Sequence, residues 1–207
     1  MKHDFLRPPA TLGDWLADVL RVIGVLGVIA AAIWLKPTDA GIAALALPAL
    51  MLPRMLGLAA WFDVTACATV LVAAWSNVFD LYRTVTGWDL VLHFLCTAVL
   101  AVIAAVILTR TGVVPLVAAV DGSGPPLRRR TPVVLVPLVA LAISAVWEMI
   151  EWLGWRYLSD DIFVTYQDTI GDMVMGGLGG VAAGVLLALV PVGRRSLRVA
   201  ETLPLPR

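Results

Sequence analysis

Residues 90–109 read LVLHFLCTAVLAVIAAVILT, twenty positions without an Asp, Glu, Lys or Arg. A helix needs about 20 apolar residues to cross the hydrocarbon layer of a bilayer, so this stretch is expected to be a membrane span. A mean hydropathy of +0.92 over 207 residues, with 14% charged residues, says that it does not stand alone. Five further stretches approach the same length: 20–35, 41–58, 61–81, 133–154 and 170–190. The expectation is an all-α polytopic membrane protein, a bundle of about six transmembrane helices. It would form a single domain over 1–207, with a short segment 1–14 ahead of the first helix and a tail 191–207 behind the last.

Two features test that division. Pro48 and Pro53 interrupt the second stretch and Arg54 follows at once, so an early turn there would draw Asp63 into the membrane. Ahead of the first stretch lies a polar lead containing Asp14, Asp18 and Arg21, too long and too acidic for the n-region of a signal peptide. No repeat of fixed period and no low-complexity tract occurs.

Orientation follows from Lys and Arg, which are retained on the cytoplasmic side. With six helices and both termini inside, twelve basic residues fall in cytoplasmic segments: Lys2, Arg7, Arg21, Arg54, Arg110, Arg128, Arg129, Arg130, Arg194, Arg195, Arg198 and Arg207. Three, Lys36, Arg83 and Arg156, fall outside. The expected location is a bacterial cytoplasmic membrane. Net charge is zero and the basic residues sit in connections, so nucleic acid is not an expected partner; membrane lipids are. Oligomeric state is not encoded in any pattern. Cys67 and Cys96 fall at different depths of the third and fourth spans and are not expected to pair.

Against this apolar background the acids are conspicuous. Asp89 and His93, at i and i+4, share a helix face, which Thr97, Ala101 and Ala104 continue. In the fifth span Ser144, Glu148, Glu151 and Trp155 form one stripe. In the sixth, Asp168 and Asp172 do the same, and Gly176, Gly180 and Gly184 extend their stripe with residues that admit a close neighbour. Three helices chosen by hydrophobicity and oriented by basic residues alone thus bring six ionisable groups to one depth. Ser76, Asn77 and Asp80 are placed to border the same cavity. The plain readings are a hydrogen-bonded interfacial histidine, a packing glycine stripe, anchoring tryptophans, a topology signal at Arg128 to Arg130, and solvated Asp160 and Asp161.

An aspartate at the middle of a spanning helix costs about 2.5–3.5 kcal/mol, less toward the interface. Arg83 and Arg156 are too few to balance five carboxylates, so protons or cations must. A divalent metal coordinated by Asp89, His93, Glu151, Asp168 and Asp172 meets this requirement, with Glu148 as general base. One imidazole among oxygen donors favours Zn, Mn or Fe, and Mg or Ca if His93 stands aside.

In order and spacing, Trp88-Asp89-x-x-x-His93, Trp147-Glu148-x-x-Glu151-Trp152 and Asp168-Thr169-x-x-Asp172-Met173 resemble the YjdF-type family of bacterial inner-membrane proteins, over about residues 53–184. The resemblance implies a compact multi-helix membrane protein and no particular activity. The chain departs from the pattern at Cys96 and Thr97, where a small Ser-Gly pair is expected, and in lacking a glycine-rich loop before Asp168.

Three functions fit the acids. The first is a metal-dependent hydrolase or transferase acting on a lipid-like substrate at the outer leaflet, although no nucleophile or head-group clamp is evident. The second is a cation- or proton-coupled transporter; against it, the charges stop at the outer third and no inverted repeat of broken helices appears. The third is a latch of proton-sharing carboxylates that fixes helix packing or docks a partner.

Overall fold

The computed structural model describes residues 2–118, 129–159, 162 and 164–194. Arg128, Asp160, Asp161, Arg195, Arg198, Arg207 and the tail beyond Arg194 lie outside the described residues. Within them the chain is all helical apart from an isolated bridge between Leu58 and Gly193. The helices are α1 (Lys2–Leu6), α2 (Leu12–Trp34), α3 (Pro37–Met55), α4 (Ala60–Val78), α5 (Leu81–Thr84), α6 (Trp88–Arg110), α7 (Arg130–Tyr157) and α8 (Tyr166–Leu189). Five of them, α2, α4, α6, α7 and α8, are long and apolar enough to cross a membrane.

The second expected span, α3, is not among those five, yet it runs alongside its neighbours. Its 19 residues make it about 28 Å long. Asp39 in its first turn accepts a hydrogen bond from Asn77 at the end of α4, 2.6 Å away, while Arg54 in its last turn lies 3.2 Å from Asp18 of α2. Pro48 and Pro53 both stay inside the helix, so the early turn does not occur. The reversal comes at Gly57, whose φ of +55° favours glycine; a Cβ there would also stand 3.2 Å from the Asp4 carboxylate.

The first spanning helix starts earlier than its apolar stretch, and the chain after α8 packs back on the bundle as far as Arg194. Thr11 and Asp14 form a capping box, the Thr11 hydroxyl accepting from the Asp14 amide and the Asp14 carboxylate from the Thr11 amide. The first spanning helix therefore starts at Leu12, eight residues earlier than hydrophobicity alone places it, and Asp14, Asp18 and Arg21 belong to it. After α8 the chain returns to the body: Val192 is fully buried, its carbonyl accepts from the Ala59 amide, and the Arg194 amide donates to Gly57.

These charged residues form an ionic network at one end of the bundle. Arg21 pairs with Asp63 of α4 and, at 2.9 Å, with Asp18. Asp14 receives Arg7 at 3.1 Å and both terminal nitrogens of Arg194. Burial, and then the Arg194 guanidinium, hold Arg7 below its ordinary pKa. Asp63 is buried as an early turn would have made it, but at the first turn of α4 and with Arg21 as its partner.

The other half of the bundle is set by α8, which lies between α6 and α7. A Cβ on Gly180 would stand 2.3 Å from that of Ala140, and one on Gly179 would stand 2.3 Å from the Phe94 carbonyl oxygen. Two adjacent glycines thus serve two different neighbours. The main core joins Phe62 and Ala66 of α4 to Val102 and Ala105 of α6, Val136 of α7 and Leu187 of α8. Cys67 and Cys96 are unpaired thiols.

Candidate functional site

At the end opposite this ionic network, α6, α7 and α8 present their acids in layers one helical turn apart. Gly87, with φ +75°, caps α6 and turns the chain into it, so that Asp89 stands in the first turn. Thr165 caps α8 and accepts from the Asp168 amide at 3.3 Å. Asp89 and Asp168 are thereby held at helix N-termini, where unsatisfied amides favour negative charge. His93, Glu148 and Asp172, one turn deeper, lack that help and are all buried.

The imidazole of His93 is the centre. Its Nε2 lies 3.4 Å from Asp89 Oδ1 and 3.8 Å from Asp172 Oδ2; its Nδ1 lies 3.8 Å from Glu148 Oε1. Ligand atoms of Asp89, His93 and Asp172 all lie within 4.8 Å of one another, and so do those of His93, Glu148 and Glu151. Oε1 of Glu148 and Oδ1 of Asp172 are buried without a hydrogen-bond partner. Such orphaned carboxylate oxygens are costly and call for an occupant.

Five of the six expected site residues therefore share the His93 neighbourhood, while Asp168 stands half-buried above them and belongs to neither triad. Trp155 leaves the α7 stripe and is exposed. Of the residues placed at the cavity border, Ser76 accepts a 2.8 Å hydrogen bond from the indole of Trp88, beside Asp89, whereas Asn77 turns to Asp39 and Asp80 to Arg83. Arg156 lies over the ring of Tyr157. Among the described residues, the ion pairs of the cluster acids are all made to His93.

Tyr82 was not foreseen. It sits on α5 and donates to the Ala73 carbonyl at 2.9 Å. Burial, then Cys96, Asp89 and Glu151, raise its phenol pKa, so the group stays protonated near the acids. Nothing in its local sequence marks it, since the one-turn helix that brings it there carries no periodic signal.

Below the triads the bundle is closed. The next layer is Thr97, Ser144 and Gly176, where a Cβ on the glycine would meet Ser144 Oγ at 2.6 Å and Thr97 Oγ1 at 3.2 Å. Ala140 and Gly180 then touch, and from His93 to Arg110, and likewise along α7 and α8, no Asp, Glu, Lys or Arg follows. The arrangement is a blind polar site at one end of a helical bundle.

Fold and site together define an integral membrane protein with a buried histidine–carboxylate centre. The family described as predicted membrane protein (DUF2238) matches residues 15–192, and the chain belongs to it. That span takes in most of α2 and all of α3, of which the motif resemblance over residues 53–184 reached only the end of α3. No curated protein and no solved structure matches the chain.

Proposed function

We propose that this protein binds a divalent metal ion through Asp89, the Nε2 of His93 and Asp172, and uses it to hydrolyse or transfer a group on a lipid-like substrate. The observation that carries the reading is the pair of separations from Nε2, 3.4 and 3.8 Å, beside an unpartnered Asp172 oxygen. Ligand atoms bound tetrahedrally at about 2.0–2.3 Å from one ion stand about 3.3–3.8 Å apart, a range into which both separations from Nε2 fall. A mixed nitrogen and oxygen set suits Zn, Mn or Fe.

When bound, such an ion supplies a water that ionises near neutrality. The chain's own residues supply the rest. Asp168 stands outside both triads and less buried than Glu148, so we assign it the general-base role that the spacing alone gave to Glu148. Leu90, Val91, Trp147, Ile150 and Ile170 flank the centre with exposed apolar side chains, which suits a substrate that enters from the bilayer.

A transport reading is weaker, because conduction needs a continuing polar path, and below the Thr97, Ser144 and Gly176 layer Ala140 and Gly180 close together, with no further charged side chain along α6, α7 and α8 before Arg110 and Arg130 at their far ends. We further infer that the ionic end of the bundle faces the cytoplasm of a bacterial cell and the acidic end faces outward, on the strength of the basic-residue asymmetry.

The test is elemental analysis of the protein purified without added chelator, with assay against phospholipid and acyl-ester substrates. About one or more divalent ions per chain, and turnover lost in Asp172→Asn, are expected. A metal-free protein that added Zn²⁺ or Mn²⁺ does not stabilise would reject the reading.

A further inference from the structure

The His93 ring has acids on both sides, and only one side is used above. We propose that the centre takes two divalent ions, the second held by His93 Nδ1, Glu148 and Glu151; this inference rests on the metal reading of the first triad.

Three observations carry it. The ligand atoms of His93, Glu148 and Glu151 lie within 4.8 Å of one another, as compact a set as the first. Glu148 is 7% exposed, and its Oε1 has no hydrogen-bond partner although it stands 3.8 Å from Nδ1. Each ring nitrogen thus faces a carboxylate with a buried, unsatisfied oxygen, Asp172 with its Oδ1 beside Nε2 and Glu148 with its Oε1 beside Nδ1.

Charge points the same way. Five carboxylates around a neutral imidazole carry five negative charges, which one divalent ion reduces to three. For Nδ1 to ligate while Nε2 is already bound, the ring gives up its remaining N–H proton to water. The second ion therefore adds two positive charges and one proton leaves, so the net charge falls from three negative to two. A metal-bound histidine more often donates its other N–H to a carboxylate, and that arrangement, with Glu148 orienting the ring and a single ion bound, is the outcome from which the experiment must separate this one.

The experiment is calorimetric titration of the full chain in detergent with Zn²⁺ alone, after metal removal, in two buffers of different ionisation enthalpy so that released protons are counted. Two equivalents are expected for the wild type. One should remain in the Glu148→Gln, Glu151→Gln double variant, and one in Asp89→Asn, Asp172→Asn, with the second wild-type equivalent releasing one more proton than the single equivalent of the double glutamine variant. One wild-type equivalent, weakened 10- to 100-fold but not lost in Glu148→Gln, would overturn the two-ion centre and leave Glu148 as an orienting residue. Two equivalents indifferent to the glutamine pair would place the second ion elsewhere and overturn it equally. No binding at all would remove the metal reading itself. Should the variants fail to fold, an anomalous-scattering map of wild-type protein decides the matter: peaks beside both Nδ1 and Nε2 of His93 support the proposal, and a peak beside only one nitrogen overturns it.

Discussion

Arg194 grips Asp14 across 180 residues of chain, Nη1 to Oδ1 at 2.7 Å and Nη2 to Oδ2 at 2.9 Å. A bidentate guanidinium–carboxylate pair is among the stronger hydrogen-bonded contacts, and Asp14 has no exposure to exchange for it. Arg194→Gln should lower stability by about 1–3 kcal/mol, with Arg7 still covering part of the charge. Asp14→Ala should cost more, because it removes the capping box as well and strands two arginines. Melting in detergent gives the order; equal stability of all three proteins would show the clasp to be idle.

The same contact fixes both ends of the helical body on one side of the membrane. Single cysteines at Pro8→Cys and Pro191→Cys, in a background lacking Cys67 and Cys96, should respond alike to an impermeant thiol reagent on intact cells, both protected. Thr86→Cys and Leu158→Cys should label. Labelling of one member of the first pair without the other would break the proposed topology.

Arg21 and Asp63 are a buried pair, and removing one partner of such a pair typically costs about 3–5 kcal/mol, whereas apolar replacement of both is often close to neutral. Asp63→Leu alone should therefore reduce folded yield sharply, and Arg21→Leu with Asp63→Leu should recover much of it. A double variant as poor as the single one would mean that Arg21 is needed for its other bonds, to Asp18 and the Leu50 carbonyl.

Gly180→Leu should prevent native packing of α8 on α7, since even a Cβ would come 2.3 Å from that of Ala140. Overpacking of a filled core typically costs about 1–3 kcal/mol, and more where backbone must move. Gly41→Leu, with open space around its Cβ position, is the control and should be well tolerated. Wild-type melting of Gly180→Leu would contradict the wedge.

Chelator should lower the melting temperature of metal-loaded protein, and should lower that of Asp172→Asn by less. Ligation requires deprotonated carboxylates and an unprotonated ring nitrogen, so affinity for Zn²⁺ should fall as pH is lowered. Affinity that is flat with pH would argue that His93 is not a ligand.

How much of this was legible beforehand depended on what kind of signal each residue gives. Span positions and the convergence of Asp89, His93, Glu148 and Asp172 follow from two periodicities, apolar length and i to i+4 spacing, that a helix cannot disguise. The ionic end was misjudged because a hydrophobicity window discards charged residues. Asp14 and Asp18 fall ahead of the apolar stretch 20–35 yet belong to the helix, and their pairing with Arg21, Arg54 and Arg194 is what lets them lie within it. That pairing is between distant segments, and no local spacing reports it. Tyr82 was invisible for the opposite reason, being placed by a one-turn helix too short to have a period.

Gly179 meets the backbone of α6 at Phe94, the residue directly after His93. The depth of Asp172 beside the imidazole is thus gauged by main chain resting on main chain, with no side chain in between to stretch or repack. Such a ruler has no adjustment. An acid lost from this cluster can be regained by another side chain at the same height, but not by sliding one helix along the other, so the cluster is free to vary only within a frame whose dimensions are already cut.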